Sequence, residues 1–335
     1  MKGTAALLKQ RRLIVVSGHD AGNFLQGLIS VDIRKLQPNS ILSAGVFLNP
    51  KGRVLFDVFI SQRTPRDGIS SFDIETHQDS CEALAEMLRK YKLRKKVNVE
   101  IDSKRKVFAF WGTKAEDQKD DISWFKDPRP GHPIRYRVCT EDENFFEQPT
   151  VRKISEEVYH QIRIATGLVE GPTECKDELP FVLNLDWWPN ALAFDKGCYT
   201  GQELVARTHF KGMVRKRTVP VLFSTETSYE KDILLPDFLS WNIKSTSIQY
   251  PKPGSVIEPI GNLSSNVGEG SVLSLAPLGG NFCLATFKDA KNISPPPNKN
   301  AGDNFTPTHR IKLENGEEIQ VYPIRPSWWP LVESV

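Results

Sequence analysis

The chain of 335 residues is too long for one ordinary hydrophobic core and predicts two or three domains. Hydrophobic residues make up 39% and charged residues 25% of the sequence, as in a globular protein, and no apolar run approaches the ~20 residues that a membrane-spanning helix needs. A net charge of only +3 excludes a global attraction to nucleic acid, so electrostatic binding would have to be local.

Hydrophobic periodicity predicts the strands and helices of the amino-terminal half. Residues 1–8 are expected to precede the first strand and show no targeting peptide. Asp20 is positioned to cap a helix that follows it. The turn residues 49–52 separate two apolar runs and predict a hairpin over 46–60, and a helix is expected from about Ser80. Further strands are predicted at 13–16, 71–76, 97–101, 107–111 and 134–138.

The largest charge cluster lies at 89–96, at the end of that helix, and has one aromatic residue, Tyr91, among its basic residues. Nucleic-acid binding favours several interleaved aromatic residues and a broad basic domain. Here acidic residues at 116–121 soon restore the charge balance. The run therefore predicts a solvated face, and attraction to an acidic ligand tail or an acidic partner is the alternative.

The pattern of the sequence changes near residue 213. Before that point, residues 154–165 have the spacing of one helical face, which Gly167 would end. Beyond it, short apolar runs separated by proline, glycine and asparagine predict a small antiparallel barrel. An insertion at 229–250 and an extended or disordered loop at 294–300 are expected on this barrel.

The cysteines are scattered, odd in number and without any Cys-x-x-Cys pair. This pattern indicates a reducing compartment and disfavours a disulfide framework or a self-contained zinc or cluster site. A cluster held by this chain alone would need about four ligands, usually thiolates. No histidine has metal-site spacing, and the sequence lacks a Gly-x-Ser-x-Gly elbow and a phosphate-binding loop. The five cysteines are Cys81, Cys139, Cys175, Cys198 and Cys283.

The segment 196–203 places a single thiol between two glycines, a spacing typical of a backbone that passes close to another group. The polar pair Gln202 and Glu203 at its end predicts the start of a helix or a tight turn. If Cys198 lies at the mouth of that helix, free backbone N–H groups and Lys196 would lower its thiol pKa. The alternative is a small buried cysteine beside a tight packing turn. The residues of the motif are Lys196, Gly197, Cys198, Tyr199, Gly201, Gln202, Glu203 and Arg207.

This order of residues, followed by the basic run 211–217, resembles the signature of the folate-binding YgfZ/GcvT-like family, which is related to the glycine-cleavage T-protein. The resemblance covers most of residues 12–217. The sequence at 183–186 and the irregular insertions are most similar to the mitochondrial branch of the family, which acts late in making [4Fe–4S] proteins. Other segments that support the resemblance lie at 12–18, 24–28 and 162–167.

The resemblance implies an α+β protein with a T-protein-like ring of three domains around a central opening. Two interleaved subdomains of mixed sheet and helices would form the folate-binding region, and a β-barrel would follow. The predicted domains are 1–212, with one subdomain at about 1–50 plus 150–212 and the other at about 51–149, and 213–335, with a disordered insertion near 288–306.

The resemblance also implies a folate pocket, which an acidic pair on one strand faces in the T-protein. The matching strand here keeps one acid, Asp57, while Phe56 fills the neighbouring place. Loss of a carboxylate that positions a reacting nitrogen costs orders of magnitude in rate, so aminomethyl transfer is disfavoured while binding can persist. Asp57 and Glu203 are the pocket candidates, and Asp57 has the alternative of a solvent-facing residue. The turn 127–129 resembles a family element that is either structural or ligand-facing.

The function that follows from the resemblance is that of a maturation factor rather than a conventional enzyme, acting in the mitochondrial matrix as a monomer. Its partner would be an A-type iron–sulfur carrier, and Cys198 would contribute one ligand to a [2Fe–2S] or [4Fe–4S] cluster that exists only in the complex. Lys196 would favour the thiolate, the two glycines would give the partner room, and the polar pair after them would fix the loop. Arg207 and the run 211–217 would form a basic rim.

Two other functions stay open at the level of the sequence. One is a working tetrahydrofolate-dependent aminomethyltransferase, with tetrahydrofolate as its bound cofactor. The other is an RNA-binding module that uses the basic run 89–96, which salt-sensitive RNA retention would reveal.

Overall fold

The computed structural model describes residues 2–65, 67–113, 122–131, 134–224, 250–260, 267–277, 281–293 and 307–330. The chain divides into two compact units. Unit 1 contains residues 1–159, 170–180 and 184–213, and unit 2 contains residues 160–169, 181–183 and 214–335. In the described part of the chain, no helix is both long and apolar enough to cross a membrane.

The elements alternate between short strands and a small number of helices. The strands are β1 (Lys2–Leu7), β2 (Arg11–Gly18), β3 (Leu42–Leu48), β4 (Val54–Gln62), β5 (Ser70–His77), β6 (Asn98–Asp102), β7 (Lys106–Thr113), β8 (Ser123–Lys126), β9 (Tyr136–Thr140), β10 (Val151–Ile154), β11 (Lys216–Ser224), β12 (Val256–Pro259), β13 (Gly270–Leu275), β14 (Phe282–Lys288), β15 (His309–Lys312) and β16 (Glu318–Pro323). The helices are α1 (Ala21–Gln26), α2 (Gln78–Tyr91), α3 (Glu156–Ala165), α4 (Pro172–Cys175) and α5 (Gln202–Lys211).

The first sheet of unit 1 has the antiparallel order β3-β4-β5-β2-β6. The predicted hairpin over 46–60 is confirmed as β3 and β4, and the helix expected from about Ser80 is α2, which begins two residues earlier. Leu84 and Leu88 lie in the same hydrophobic core as the inward residues of β2 and β5, because they recur at the helical spacing of three to four residues. The basic run 89–96 that follows is mostly exposed, as a solvated face would be.

The second sheet of unit 1 has the order β10-β1-β7-β9-β8. Its second strand is β1, which pairs in parallel with β10 and antiparallel with β7, so the expectation that residues 1–8 precede the first strand is wrong. A lysine, a glycine and two alanines make up most of β1, and these residues are depleted in strands, so Thr4 and Leu7 alone give little strand signal. The pairing works because Gly3 lies opposite Gly112, where both strands lack a side chain.

The strand sets do not follow the division predicted at residues 50 and 149. The first sheet takes its strands from residues 11–102, and the second takes β1 together with strands from 106–154. The chain therefore passes from one sheet to the other between β6 and β7.

Unit 2 contains a closed antiparallel barrel with the order β11-β14-β13-β12-β15-β16. It begins at Lys216, close to the change of pattern near residue 213. Gly167 follows α3 with a φ of +78°, the left-handed stop expected there. After β14 a 3-10 turn covers Ala290–Asn292. The predicted insertion at 229–250, apart from Tyr250, the loop at 294–300 and the segment 294–306 of the predicted insertion near 288–306 lie outside the described residues.

A single methyl group at Gly3 tests whether β1 is a true strand of the second sheet. A Cβ atom there would lie 2.0 Å from the carbonyl oxygen of Trp111, which is too close for any side chain. We expect Gly3→Ala to lower the free energy of unfolding by about 2–3 kcal/mol, measured by urea denaturation. Gly22→Ala is the matched control, because its nearest neighbour is a Phe72 ring atom at 3.7 Å. Equal midpoints for the two variants would contradict the pairing.

Candidate functional site

The segment 194–201, here called the signature loop, is anchored by Lys196. This side chain is buried, and its Nζ donates hydrogen bonds to the carbonyl oxygens of Ile29 at 2.7 Å and Val31 at 2.8 Å. The ammonium also lies 4.7 Å from the centre of the Tyr199 ring. Burial lowers the pKa of Lys196 to about 8. Lys196 therefore ties the loop to the segment after α1, and the prediction that it supports the Cys198 thiolate is not what its contacts show.

Gly201 locks the end of the loop against the β3–β4 turn. Its φ of +80° is a left-handed conformation, and a Cβ atom there would lie 2.5 Å from the carbonyl oxygen of Asn49. Gly52, with a φ of +74°, faces Leu204 in the same way, since its Cβ would lie 2.8 Å from that side chain. Gly201 thus serves packing within the protein rather than room for a partner. A Cβ at Gly197 would have nothing within 4 Å, so open space remains there.

Cys198 is the one exposed cysteine of the five, and the alternative of a small buried cysteine is wrong. Helix α5 begins at Gln202 with Gly201 as its N-cap, so Cys198 lies four residues ahead of the helix rather than at its mouth. The loop is held by main-chain bonds on the helix side, where the Thr200 N–H donates to the Gly27 carbonyl at 3.1 Å. Burial raises the thiol pKa of three of the buried cysteines, Cys81, Cys139 and Cys283.

The two polar residues that begin α5, Gln202 and Glu203, have different roles. The Gln202 side-chain oxygen accepts a hydrogen bond from the Tyr199 N–H at 3.4 Å, in line with the prediction that this residue fixes the loop. Glu203 is exposed and, among the described residues, makes no hydrogen bond that would do the same. Arg207 is also exposed, one turn further along the helix. These two charges therefore face solvent beside the loop rather than shaping it.

Asp57 occupies a second site on β4. Its side chain is only 14% exposed, so the alternative of a solvent-facing residue is wrong. One carboxylate oxygen accepts a hydrogen bond from the Gly171 N–H at 3.0 Å, and the Arg11 guanidinium lies 3.6 Å from the same oxygen. The other oxygen, Oδ1, is buried and has no hydrogen-bond partner in the described structure. No bond or ion pair among the described residues joins Asp57 to Glu203, the other pocket candidate.

A buried ionic network lies beside Asp57. The Arg11 guanidinium is 2.7 Å from Glu75, and Arg137 also pairs with Glu75. Glu170 lies 2.8 Å from Arg137 and 2.9 Å from Arg129. The remaining members of the network are Asp127, which lies 2.8 Å from Arg129 and 3.3 Å from Arg137, and Tyr159, whose hydroxyl bonds to Glu170.

The anions of this network keep its arginines in the charged form. Burial alone would lower the pKa of Arg137, but Glu75 and the other anions around it outweigh burial and raise the pKa well above its usual value. Burial raises the pKa of Tyr159 to about 12, so its hydroxyl stays protonated and can donate to Glu170. Arg11, Arg129 and Arg137 therefore stay charged, and they face more carboxylates than they can neutralise once Asp57 is counted. Asp57 is left as an acceptor with an unused oxygen.

Sequence reasoning missed most of this network. The turn 127–129 is identified by resemblance alone, and its Asp127 and Arg129 are buried in the network. Glu75 alternates with the core residues Phe72 and Ile74 along β5, so the pattern gives it the position of a solvent-facing residue. Charged side chains at such positions are almost never fully buried unless they are paired.

The pH dependence of the free energy of unfolding, compared between the wild type and a Lys196 variant, tests whether Lys196 anchors the signature loop. Because the pKa of Lys196 falls from 10.5 to about 8 on folding, the unfolded chain binds more protons between these values, and the folded protein gains stability as pH rises through that window. We expect the free energy of unfolding of the wild type, relative to Lys196→Met, to increase by about 1–2 kcal/mol between pH 8 and 9.5. Urea titrations at both pH values measure it.

The control for this experiment is Lys211→Met, which removes an exposed lysine from α5. Its stability relative to the wild type should not change over the same pH window. If Lys196→Met behaves like this control, Lys196 is not desolvated and does not anchor the loop.

Comparison with known proteins places the chain beside iron–sulfur cluster assembly factors. No protein-family model matches it. It is 38% identical over 221 residues to the mitochondrial iron–sulfur cluster assembly factor IBA57 homolog of Pyricularia oryzae, covering 64% of this chain and 56% of that protein. The mitochondrial IBA57 factor of Homo sapiens is 33% identical over 234 residues, covering 64% and 65%. The Phaeosphaeria nodorum homolog is 29% identical over 340 residues, covering 97% and 80%.

The chain spans less than two thirds of the length of the Pyricularia oryzae and Homo sapiens proteins that it matches. A structural alignment covers more of the chain than most of these sequence matches do. It extends over 98% of this chain and 86% of the glycine cleavage system aminomethyltransferase T of Bartonella henselae, with a TM-score of 0.68 and 14% identity. At that identity the likeness shows the fold, and it confirms the predicted T-protein-like α+β class with a carboxyl-terminal barrel. By sequence the chain is similar to the mitochondrial IBA57 assembly factors, and by structure it has the fold of the glycine cleavage T-protein.

Proposed function

We propose that the protein is a maturation factor for mitochondrial [4Fe–4S] proteins and that it acts in the matrix with an A-type iron–sulfur carrier. The observation that carries the proposal is the exposure of Cys198 on an anchored loop, while the other four thiols are buried. Support comes from the relatives, which are named as mitochondrial iron–sulfur cluster assembly factors. The cluster is cargo that passes through the complex rather than a resident group.

The ligand count explains why a partner is needed. A cluster takes about four protein ligands, usually thiolates, and the signature loop offers one. The described residues contain no group of three or more histidine, cysteine or acidic side chains close enough to hold a metal ion. The carrier would therefore bring the remaining ligands, and the open space at Gly197 would let its chain approach the thiol. Cys198 loses its proton to solvent when it binds iron.

Anchoring matters as much as exposure. The Lys196 bonds, the Gly201 contact and the Thr200 bond fix the loop on both sides of Cys198. A ligand on a fixed loop loses little conformational freedom when a shared cluster forms, so more of the binding energy remains for the complex. The signature motif would then serve presentation of the thiol rather than adjustment of its pKa.

Removal of the thiol tests the proposal. Cys198→Ser nearly preserves volume at an exposed position, so the fold should survive with its free energy of unfolding changed by less than about 0.5 kcal/mol. The visible absorption of the cluster-loaded mixture of protein and carrier should weaken severalfold, because one thiolate ligand is lost. Cys175→Ala is the control, since it removes a buried thiol and should leave the spectrum unchanged.

Thiol-labelling rates in the native protein provide a second readout. Cys198 should react at least about tenfold faster than the four buried cysteines, and urea should abolish the difference, because unfolding exposes them all. Slow labelling of Cys198 together with an unchanged cluster spectrum in Cys198→Ser would reject it as a cluster ligand.

A second candidate function, the binding of tetrahydrofolate, is favoured by Asp57. Its buried and unpaired Oδ1 can accept a hydrogen bond from an N–H group of a pterin ring. The fold likeness to an aminomethyltransferase supports the same ligand class. Transfer chemistry is less well supported, because Phe56 stands where the second acid of the T-protein pair would be. We therefore propose binding, with aminomethyl transfer as the alternative outcome.

Calorimetric titration with tetrahydrofolate tests this binding. Asp57→Asn keeps the shape of the side chain but removes its charge, and we expect the dissociation constant to rise at least about tenfold, the effect of losing one hydrogen bond to a charged group. Glu203→Gln serves as the control and should bind like the wild type, since Glu203 is exposed on α5. No heat with the wild type at millimolar ligand would reject folate binding, and turnover of an aminomethyl donor would establish the enzyme instead.

A further inference from the structure

Two of the most exposed large apolar side chains in the described part of the chain lie next to the signature loop. Phe210 is 68% exposed and Met213 is 70% exposed, at and just after the carboxyl end of α5. Single exposed apolar residues are common on protein surfaces. A cluster of them is not, and it points to a surface that is covered in a complex.

Phe210 belongs to a group of stacked rings, and Met213 follows it three residues later. The Phe194 and His209 rings stack with their centres 3.6 Å apart and their planes 10° apart. The edge of the Phe210 ring meets them, with its centre 4.8 Å from that of His209 and 6.4 Å from that of Phe194. Phe194, His209, Phe210 and Met213 are here called the α5 patch.

The α5 patch is continuous with the loop that carries Cys198. Phe194 starts the signature loop and stacks on the last turn of α5, while Gly201 ends the loop at the first residue of the same helix. Helix α5 has ten residues and is therefore about 15 Å long. The loop thus runs beside the helix from its carboxyl end to its amino end. Cys198 is therefore exposed on the loop that connects the α5 patch to the start of the same helix.

The charges around the patch are mainly positive. Arg207 and Lys211 are exposed and lie three residues before and one residue after Phe210 on the helix. Glu203, one turn before Arg207, is the acid that faces this side of α5. Lys35 and Asp195 near the start of the loop neutralise each other at 2.9 Å. A protein surface that covers the patch would therefore need apolar side chains rimmed by carboxylates.

We propose that the α5 patch is the docking surface for the cluster carrier and that it binds an apolar, carboxylate-rimmed face of that protein. The inference rests on the proposed function, because the carrier must place its own thiolates beside Cys198. Aromatic residues, methionine and arginine are the types enriched at protein interfaces. The α5 patch contains aromatic residues and a methionine, and Arg207 lies one turn before it on the helix. Docking would then precede cluster binding and would not require the cluster.

Binding of the purified, cluster-free carrier tests this separation. Phe210→Asp should weaken binding at least about 30-fold by calorimetry, as expected for an aromatic residue at the centre of an interface. The double variant Arg207→Glu with Lys211→Glu should weaken it less and reduce its salt dependence. Leu93→Asp is the matched control, because Leu93 is 85% exposed on a different basic segment, 89–96, and it should bind like the wild type.

The outcomes separate this proposal from the proposed function. Cys198→Ser should still bind the cluster-free carrier within about threefold of the wild type, since the patch remains intact. Wild-type affinity for Phe210→Asp would overturn the docking surface while leaving Cys198 as a ligand. A loss of binding in Leu93→Asp alone would place docking at 89–96 and overturn it too. Self-association of the wild type that Phe210→Asp abolishes would make the patch a contact between copies. No binding of the cluster-free carrier by the wild type would overturn the docking surface, whereas the proposed function would still be decided by the spectrum of the cluster-loaded mixture.

Discussion

The ion pair between Arg137 and Glu75 joins the two sheets of unit 1, because Arg137 lies on β9 of one sheet and Glu75 lies on β5 of the other. Burying such charges is costly, and only a complete set of partners offsets the cost. The network offsets the cost by adding Arg11, Glu170 and Tyr159, together with Arg129 and Asp127. Removing one charged member would leave a buried charge without its partner, so the seven side chains act as one unit beside Asp57.

Whether a part of the fold could be predicted from the sequence depends on how far apart its interacting residues lie along the chain. The β3–β4 hairpin and α2 depend on local turn residues and helical spacing, so they could be predicted from the sequence. Strand β1 and the ionic network depend on residues far along the chain, since Arg137 and Glu75 are 62 positions apart. Local sequence patterns do not reveal contacts between residues that lie so far apart in the chain. The switch near residue 213 was visible because the composition itself changes there.

The signature loop shows a similar limit at the scale of a few residues. The sequence places Lys196 two positions from Cys198, and proximity alone suggested an electrostatic role. In the structure Lys196 is buried while Cys198 is exposed, and the two side chains serve different purposes. The loop has no regular secondary structure between these residues, so the positions of their side chains do not follow from their spacing. The chemistry of the motif was therefore readable, whereas the direction of each side chain was not.

The contacts that anchor the signature loop also leave its thiol exposed. An exposed loop without internal bonds would sample many conformations, and each would present the thiol differently. Lys196 prevents this at a cost in desolvation, because its ammonium loses water and gains two carbonyl partners. Gly201 adds a steric limit, since a left-handed residue with no Cβ is needed where the loop meets the β3–β4 turn. The same contacts that keep these residues inside leave Cys198 as the part of the loop that a partner can reach.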